Sequence, residues 1–373
     1  MLRDSLTAEG AGFHVEQVEI VFTQGVVSER VVSAWEKTVG ETEALRIAFL
    51  MDGGEPTGWK FVRPSVVLKQ EDLPPASWES WLRDDRLRPL LSPHEVPWRA
   101  TWWPGTGRFI WTFHHALLDG RSITEILRGF LKRLAGEPAA TLAISRWSGP
   151  SRGMLMRAEQ RLSESFSNCM PLDLDFLPAE SNNEPATRCL GAGFLKRLES
   201  IATGMEVTAA TILTWAWGQT LLGSAGTDAV MLEQVRCGPR QQGTAGFRMN
   251  TLPVLVDRTD GDPVGNLRAF REQLMTLREI EPVSPGDFPS GVFPDMNSPW
   301  SSVIMIEHGT LHHMAGAPAW VESLRLHECK GETLMATAYV MPDLRLEVEG
   351  PQRHFLLAGW IRELETLVSE IDP

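Results

Sequence analysis

The stretch from Arg108 to Leu134 constrains the fold more than any other part of the chain. Arg108-Phe-Ile-Trp-Thr-Phe113 is apolar and aromatic and predicts a strand. Ile123, Ile126, Leu127, Phe130, Leu131 and Leu134 then recur at helical period, and Ser122-Ile-Thr-Glu125 has the spacing of a capping box at the helix start. Between the two lies His114-His115-Ala-Leu-Leu-Asp119-Gly120-Arg121. The histidine pair therefore sits on a tight strand-to-helix connection, a place where scaffolds present chemistry. A neutral imidazole is well suited to moving a proton near pH 7. Asp119, beside a glycine and four residues past His115, reads as a device for holding that histidine, not as a second acid.

At 373 residues the chain accommodates two compact units, and 43% hydrophobic with 22% charged residues is a globular composition. Gly136-Glu-Pro and Ser148-Gly-Pro-Ser151 form a Gly/Pro/Ser-rich boundary, which places the division at residues 1–150 and 151–373. Before it, Phe13 to Phe22 reads as the first strand, Ser28 as the cap of a helix, Gly53-Gly54 as a turn between strands, and Leu73 to Trp98 as loop and short helix. After it come an exposed loop over Pro178–Pro185, a helix from Thr208, a strand from Ala229 and a helix from about Val264 to Arg278. Strands near Ser302–Ile306 and Met335–Glu349 and a final helix over His354–Ile371 complete the pattern.

A net charge of -13 argues against nucleic-acid binding, since there is no excess of cations to displace counterions from phosphates. No apolar run reaches membrane-spanning length and the N-terminus lacks an apolar signal core, so the expected location is the cytoplasm. Cys169, Cys189, Cys237 and Cys329 are scattered, without the spacing of a zinc site or a disulfide framework. His312-His313 has no spaced aspartate and no companion ligands, and reads as loop surface, so no metal site is expected. Fourteen tryptophans accompany a single tyrosine. Trp102, Trp103 and Trp111 lie near the motif strand, where they either line a substrate pocket or pack the core.

His114-His115-Ala-Leu-Leu-Asp119-Gly120 matches the HHxxxDG signature of acyltransferases resembling the nonribosomal-peptide condensation domain and chloramphenicol acetyltransferase. Other landmarks follow in order. Glu43-Ala-Leu-Arg46 resembles the family's early RHExLR segment, although Glu41-Thr42 stand where Arg-His would. Val207-Thr208 opens a helix similar to the one that starts the second half, and Asp228 to Arg240 resembles a strand ending in a Gly-Arg turn. Ala245-Gly-Phe-Arg-Met-Asn250-Thr-Leu-Pro253 is similar to the GxFxNTLP segment. The late arginine-rich segment is poorly matched near Pro294–Trp300, and no counterpart of the first N-terminal motif is recognisable.

The resemblance implies an α/β (α+β sandwich) fold in which two chloramphenicol-acetyltransferase-like halves form a V with a tunnel between them. It implies a stand-alone condensation-type acyltransferase without a tightly bound cofactor. The donor is a thioester, on the phosphopantetheine arm of an acyl or peptidyl carrier protein or on coenzyme A, and the acceptor an amine or alcohol. His115 is the expected general base, with His114 structural. Asp119 is expected in a buried ion pair that shapes the loop, with Arg46 as the candidate partner; removing one member of such a pair costs about 3–5 kcal/mol. Gly120 permits the turn, and its N–H at the helix start is placed to stabilise an oxyanion. Asn250 either contacts substrate or ties strands together, and Arg121 either binds an acidic acceptor or faces solvent. Arg128, Lys132 and Arg133 either form a basic patch for an acidic carrier or complement the helix dipole. Two rival readings remain: a coenzyme-A-dependent O-acyltransferase, and a non-catalytic recruitment module.

Overall fold

The structure is a computed structural model, described over residues 14–23, 25–52, 55–92, 94–145, 150–166, 184–238, 242–258, 262–283, 302–308, 318–328 and 334–371. In chain order it runs β1 (Val15–Phe22), α1 (Ser28–Gly40), β2 (Ile47–Asp52), β3 (Glu55–Phe61), β4 (Lys69–Gln70), α2 (Trp78–Arg86), β5 (Trp98–Trp103), β6 (Arg108–His114), α3 (Gly120–Ala135) and β7 (Ala143–Ile144). There follow α4 (Arg152–Phe166), β8 (Ala186–Leu190), α5 (Gly191–Gly204), α6 (Ala209–Ala225), β9 (Ala229–Cys237), β10 (Thr244–Ala245), β11 (Met249–Asp257) and α7 (Pro263–Leu277). The last elements are β12 (Val303–Glu307), β13 (Val321–Glu328), β14 (Met335–Val340), β15 (Leu344–Glu349) and α8 (Arg353–Ile371). The mixed α/β class expected from the sequence is what the chain adopts. Among the described residues no helix is long and apolar enough to cross a membrane. Gly53-Gly54, Cys169, Cys329, His312-His313, Pro294–Trp300 and most of Pro178–Pro185 lie outside the described residues.

By its internal contacts the chain separates into two units, the first cut falling between Trp147 and Ser148. A single cut near residue 150 does not describe it, because β10 with residues up to Arg248, and later β13, belong to the first unit. Strand pairing is the physical reason. β13 pairs antiparallel with β1 along its whole length, and β10 pairs parallel with β7.

The first unit is built on a five-stranded sheet of order β13-β1-β6-β5-β4. β1 and β6 are central, which explains why seven of the eight residues of VEQVEIVF are buried, polar ones included. One face packs under α1 and α3 through Val18, Ile20, Phe109, Trp111, Val31, Ile126 and Phe130. Trp35 of α1 anchors that core, its ring edge-on to Phe109, Phe130, Trp111 and Trp98 at 5.0, 5.3, 5.4 and 5.9 Å. Edge-to-face contact at these distances sets the positive ring edge against the negative ring face. Ser28 is the first helical residue and not the cap; the N-cap is Val27, and the Ser28 hydroxyl accepts from Trp102 Nε1 at 2.8 Å.

The second unit carries a six-stranded sheet of order β11-β9-β12-β14-β15-β8. Against it lies α6, apolar nearly all round and capped by Thr208, whose Oγ1 accepts from the Thr211 N–H at 3.1 Å. At Gly218 a Cβ would lie 2.5 Å from Val256 Cγ2, so only glycine lets this helix sit so close to β11. Trp217 and Trp360 of α8 meet at 5.2 Å, and each indole N–H is used: Trp217 donates to Ser302 Oγ and Trp360 to the Leu213 carbonyl.

Candidate active site

The joint between β6 and α3 is the tight connection expected from the sequence. β6 ends at His114, residues His115–Leu117 form a single 3-10 turn, and α3 starts at Gly120. The chain leaves the strand between the two histidines, so His114 keeps a strand environment and His115 opens the turn. His114 is 1% exposed, and its Nδ1 accepts the Ala116 N–H at 3.1 Å, capping the 3-10 turn. Burial, reinforced by His14 and His115, pushes the His114 imidazole down to about 3. It is a neutral, structural group at any ordinary pH.

His115 is half-buried and its backbone N–H donates to the His14 carbonyl at 2.7 Å. Its Nδ1 lies 3.0 Å from the Leu118 carbonyl and 2.9 Å from Glu16 Oε1. Both are acceptors, so in the neutral ring Nδ1 carries the proton and the basic lone pair belongs to Nε2. Phe247 stands edge-on to the ring at 5.5 Å. Geometry thus fixes which nitrogen of the neutral ring carries the lone pair.

Asp119 is 3% exposed and is the N-cap of α3. Its Oδ1 accepts from the Ser122 N–H at 2.9 Å and its Oδ2 from the Arg248 N–H at 3.0 Å. Two backbone donors therefore satisfy the carboxylate, and the expected ion pair with Arg46 is not formed. Arg46 sits half-buried at the end of the Glu43–Arg46 3-10 turn, with its Nε buried and unbonded. Glu43, its neighbour in the early segment, instead accepts from the Ile144 N–H at 2.8 Å, next to β7.

The capping-box reading of Ser122 also changes. Asp119 does the capping, and the Ser122 hydroxyl donates to the Gly246 carbonyl at 2.8 Å while accepting the Gly246 N–H at 3.0 Å. Asp119 and Ser122 together staple the distant segment Gly246–Arg248 onto the start of α3. Gly246 has φ +155°, a conformation open to glycine, and a Cβ there would press on Ser145. This staple places Phe247 beside His115.

Gly120 is the first helical residue, with no positive φ, and a Cβ there would meet no heavy atom within 4 Å. The turn itself does not require glycine. The residue leaves open space at a helix start where the Asp119 cap takes the third N–H and not the first. Arg121 is exposed. Trp111 is fully buried between Trp35 and Phe113, so it packs the core. Trp102 and Trp103 are likewise buried. Asn250, in the second unit, donates from Nδ2 to the carbonyls of Glu281 and Val283 at 2.7 and 2.8 Å and accepts the Thr251 N–H at 3.0 Å. Its amide ties β11 to the end of the following helical segment.

In the proposed basic patch, Arg133 pairs with Glu41 and Arg128 with Glu125, while Lys132 is exposed. Glu16 and Phe247 are the residues that sequence reasoning missed. The available signal for Glu16 was a strand whose apolar alternation is broken by Glu16, Gln17 and Glu19.

No family model matches the chain. A linear gramicidin synthase protein of Brevibacillus parabrevis is 26% identical over 317 residues, covering 75% of this chain and 4% of that protein. The chain thus spans a small fraction of the length of the curated relative it matches. Among solved structures, the first condensation domain of the CDA synthetase superposes with a TM-score of 0.72 at 16% identity, covering all of this chain and 96% of that one. The starter condensation domain of rhizomide synthetase, a mutant solved with C8-CoA and Leu-SNAC, gives 0.71 at 14% identity, covering 99% and 93%. In fold the chain is similar to condensation domains, the family that the motif resembles.

Proposed function

We propose, from a chain with the condensation-domain fold, that the β6–α3 joint is the base site of an acyl transfer from a thioester to an amine or alcohol. In this reading the acceptor attacks the thioester carbonyl and His115 Nε2 takes its proton. The new C–N or C–O bond forms, the C–S bond breaks, and the imidazolium returns the proton to the departing thiolate. The first N–H groups of α3, at Gly120, are positioned at a helix N-terminus, where backbone dipoles favour developing negative charge. Binding both reactants before reaction supplies much of the rate. The donor is a carrier-bound phosphopantetheine thioester or acyl-coenzyme A; the C8-CoA held by the rhizomide synthetase domain supports including the latter.

The observation that carries this reading is the Nδ1 arrangement: a carbonyl and a carboxylate both claim the His115 Nδ1 proton, leaving Nε2 as the base. The test is free-thiol release from acyl-coenzyme A and acyl-carrier thioesters, with pooled amine and alcohol acceptors, for the parent and folded His115→Ala. Acceptor-dependent release lost in the variant is the expected result, and the preferred thioester names the donor. Equal release by both proteins overturns the assignment of His115. Absence of release from every thioester favours a recruitment module.

A further inference from the structure

Glu16 belongs to no motif, yet it occupies a costly position. It stands on β1 opposite Phe113 of β6, on the face that carries Val18 and Trp111, and is 7% exposed. A carboxylate is rarely buried among apolar side chains unless something holds it there. Oε1 is spent on His115 Nδ1 at 2.9 Å, and Oε2 is buried with no hydrogen-bond partner. Among the described residues no competing donor draws the charge away from the imidazole. A buried carboxylate with an unfilled oxygen costs stability, and such groups cluster where chemistry needs them.

We infer that Glu16 is a positioning residue for His115, holding Nδ1–H toward β1 and stabilising the imidazolium that forms when Nε2 accepts a proton. The inference deepens the acyl-transfer reading and rests on it for its catalytic meaning. The two acceptors on Nδ1 divide the work. The Leu118 carbonyl is neutral and suffices to select the tautomer, whereas only the Glu16 carboxylate favours the charged ring over the neutral one. The titratable or charged groups next to this pair in sequence, contact or register are His14, His114, Asp119, Arg121, Arg248 and Glu328, the last opposite Glu16 in the β1–β13 register, while Glu19, Arg108, Glu322, Arg325 and His327 stand farther along β1, β6 and β13. His114 stays neutral, and Asp119 is held by two backbone N–H groups, so neither replaces Glu16 as the counter-charge.

Nitrogen-resolved NMR of protein carrying ¹⁵N-labelled histidine tests this directly, with His115 assigned through His115→Ala. In the parent the neutral His115 ring should carry its proton on Nδ1. Glu16→Gln should keep that tautomer, through Leu118, but move the His115 titration midpoint to lower pH. The acid limb of kcat/KM should move the same way, with kcat/KM at pH 7 down about tenfold and KM little changed, a part of what a general base supplies. Glu16→Asp, which withdraws the carboxylate by one methylene, should fall between parent and Gln, and decides the matter if Glu16→Gln does not fold. The same His115 midpoint in parent and folded variant overturns the inference. If the parent transfers no acyl group, the acyl-transfer reading falls, while the NMR midpoint still decides whether Glu16 holds His115.

Discussion

The two faces of β1 both bury polar side chains, and they treat them differently. On the face under α2, Asp85 is saturated: Oδ1 accepts from Arg99 Nε at 2.8 Å and Arg88 at 3.2 Å, and Oδ2 from Gln17 at 3.0 Å and Thr112 at 2.6 Å. Gln17 in turn accepts from Arg86 at 2.9 Å, and the neighbouring Glu19 binds both Arg108 and His327. On the opposite face Glu16 has one partner and one idle oxygen. A filled network fixes a structure, because every charge has a donor and any change strands one. An underfilled one keeps a charge available to act on a single neighbour, here the imidazole that the proposed reaction protonates.

This contrast can be broken experimentally, most severely at His115. His115→Ala should lower acyl transfer by about 10²–10⁴-fold, the range for a general base, a loss far larger than the folded fraction loses from the cost of about 1–3 kcal/mol for stranding Glu16 Oε1. Asp85→Ala should do the reverse. Leaving buried Gln17 and Thr112 and half-buried Arg99 without the carboxylate should cost about 1–3 kcal/mol of stability in denaturant unfolding, and activity should fall only as the folded fraction falls. Should Asp85→Ala unfold like the parent, the saturated face is not what holds β1 against α2.

Titration offers a subtler comparison, between the units. His114 is pushed down to about 3 and His327 to about 4 by burial, below the ordinary 6.5. A base depressed in the folded state binds its proton more readily when unfolded, so this stability is present above pH 6.5 and drains away as pH falls toward 3 to 4. Glu233, on β9 of the second unit, is pushed by burial the other way, up to about 7 from 4.5. Its contribution is full below pH 4.5 and is lost as pH rises through 7. Denaturant midpoints against pH should therefore lose their acid-side slope in His114→Asn and their slope between pH 4.5 and 7 in Glu233→Gln, each by on the order of 1.4 kcal/mol per pH unit. The smallest expected effect is at the staple. Asp119→Ala should cost about 1–2 kcal/mol through loss of the cap, and Ser122→Ala about 1 kcal/mol.

The elements of the β6–α3 joint were legible because their signals are local. An aromatic strand, a helical repeat and Asp-Gly before it need no information beyond some thirty residues. The helix start at Thr208 was readable for the same reason, since the cap there acts three residues away. Trp111 was not, because nothing in a tryptophan's own sequence neighbourhood says whether its strand is central, and here β1 and β5 flank β6. Arg46 failed similarly: opposite charge made it a plausible partner for Asp119, but the carboxylate was filled by N–H groups of Ser122 and Arg248.

The sequence by itself determined the motif and the order of strands and helices around it. Tertiary structure decided everything that depends on which distant segments meet. It brought β13 beside β1, set Gly246–Arg248 against the start of α3, and turned a buried glutamate on the first strand toward His115 Nδ1. The physical reason is range. Propensity, capping and periodicity act within a few residues along the chain, whereas strand pairing and the satisfaction of a buried charge select partners by distance in space, across 99 residues for Glu16 and His115.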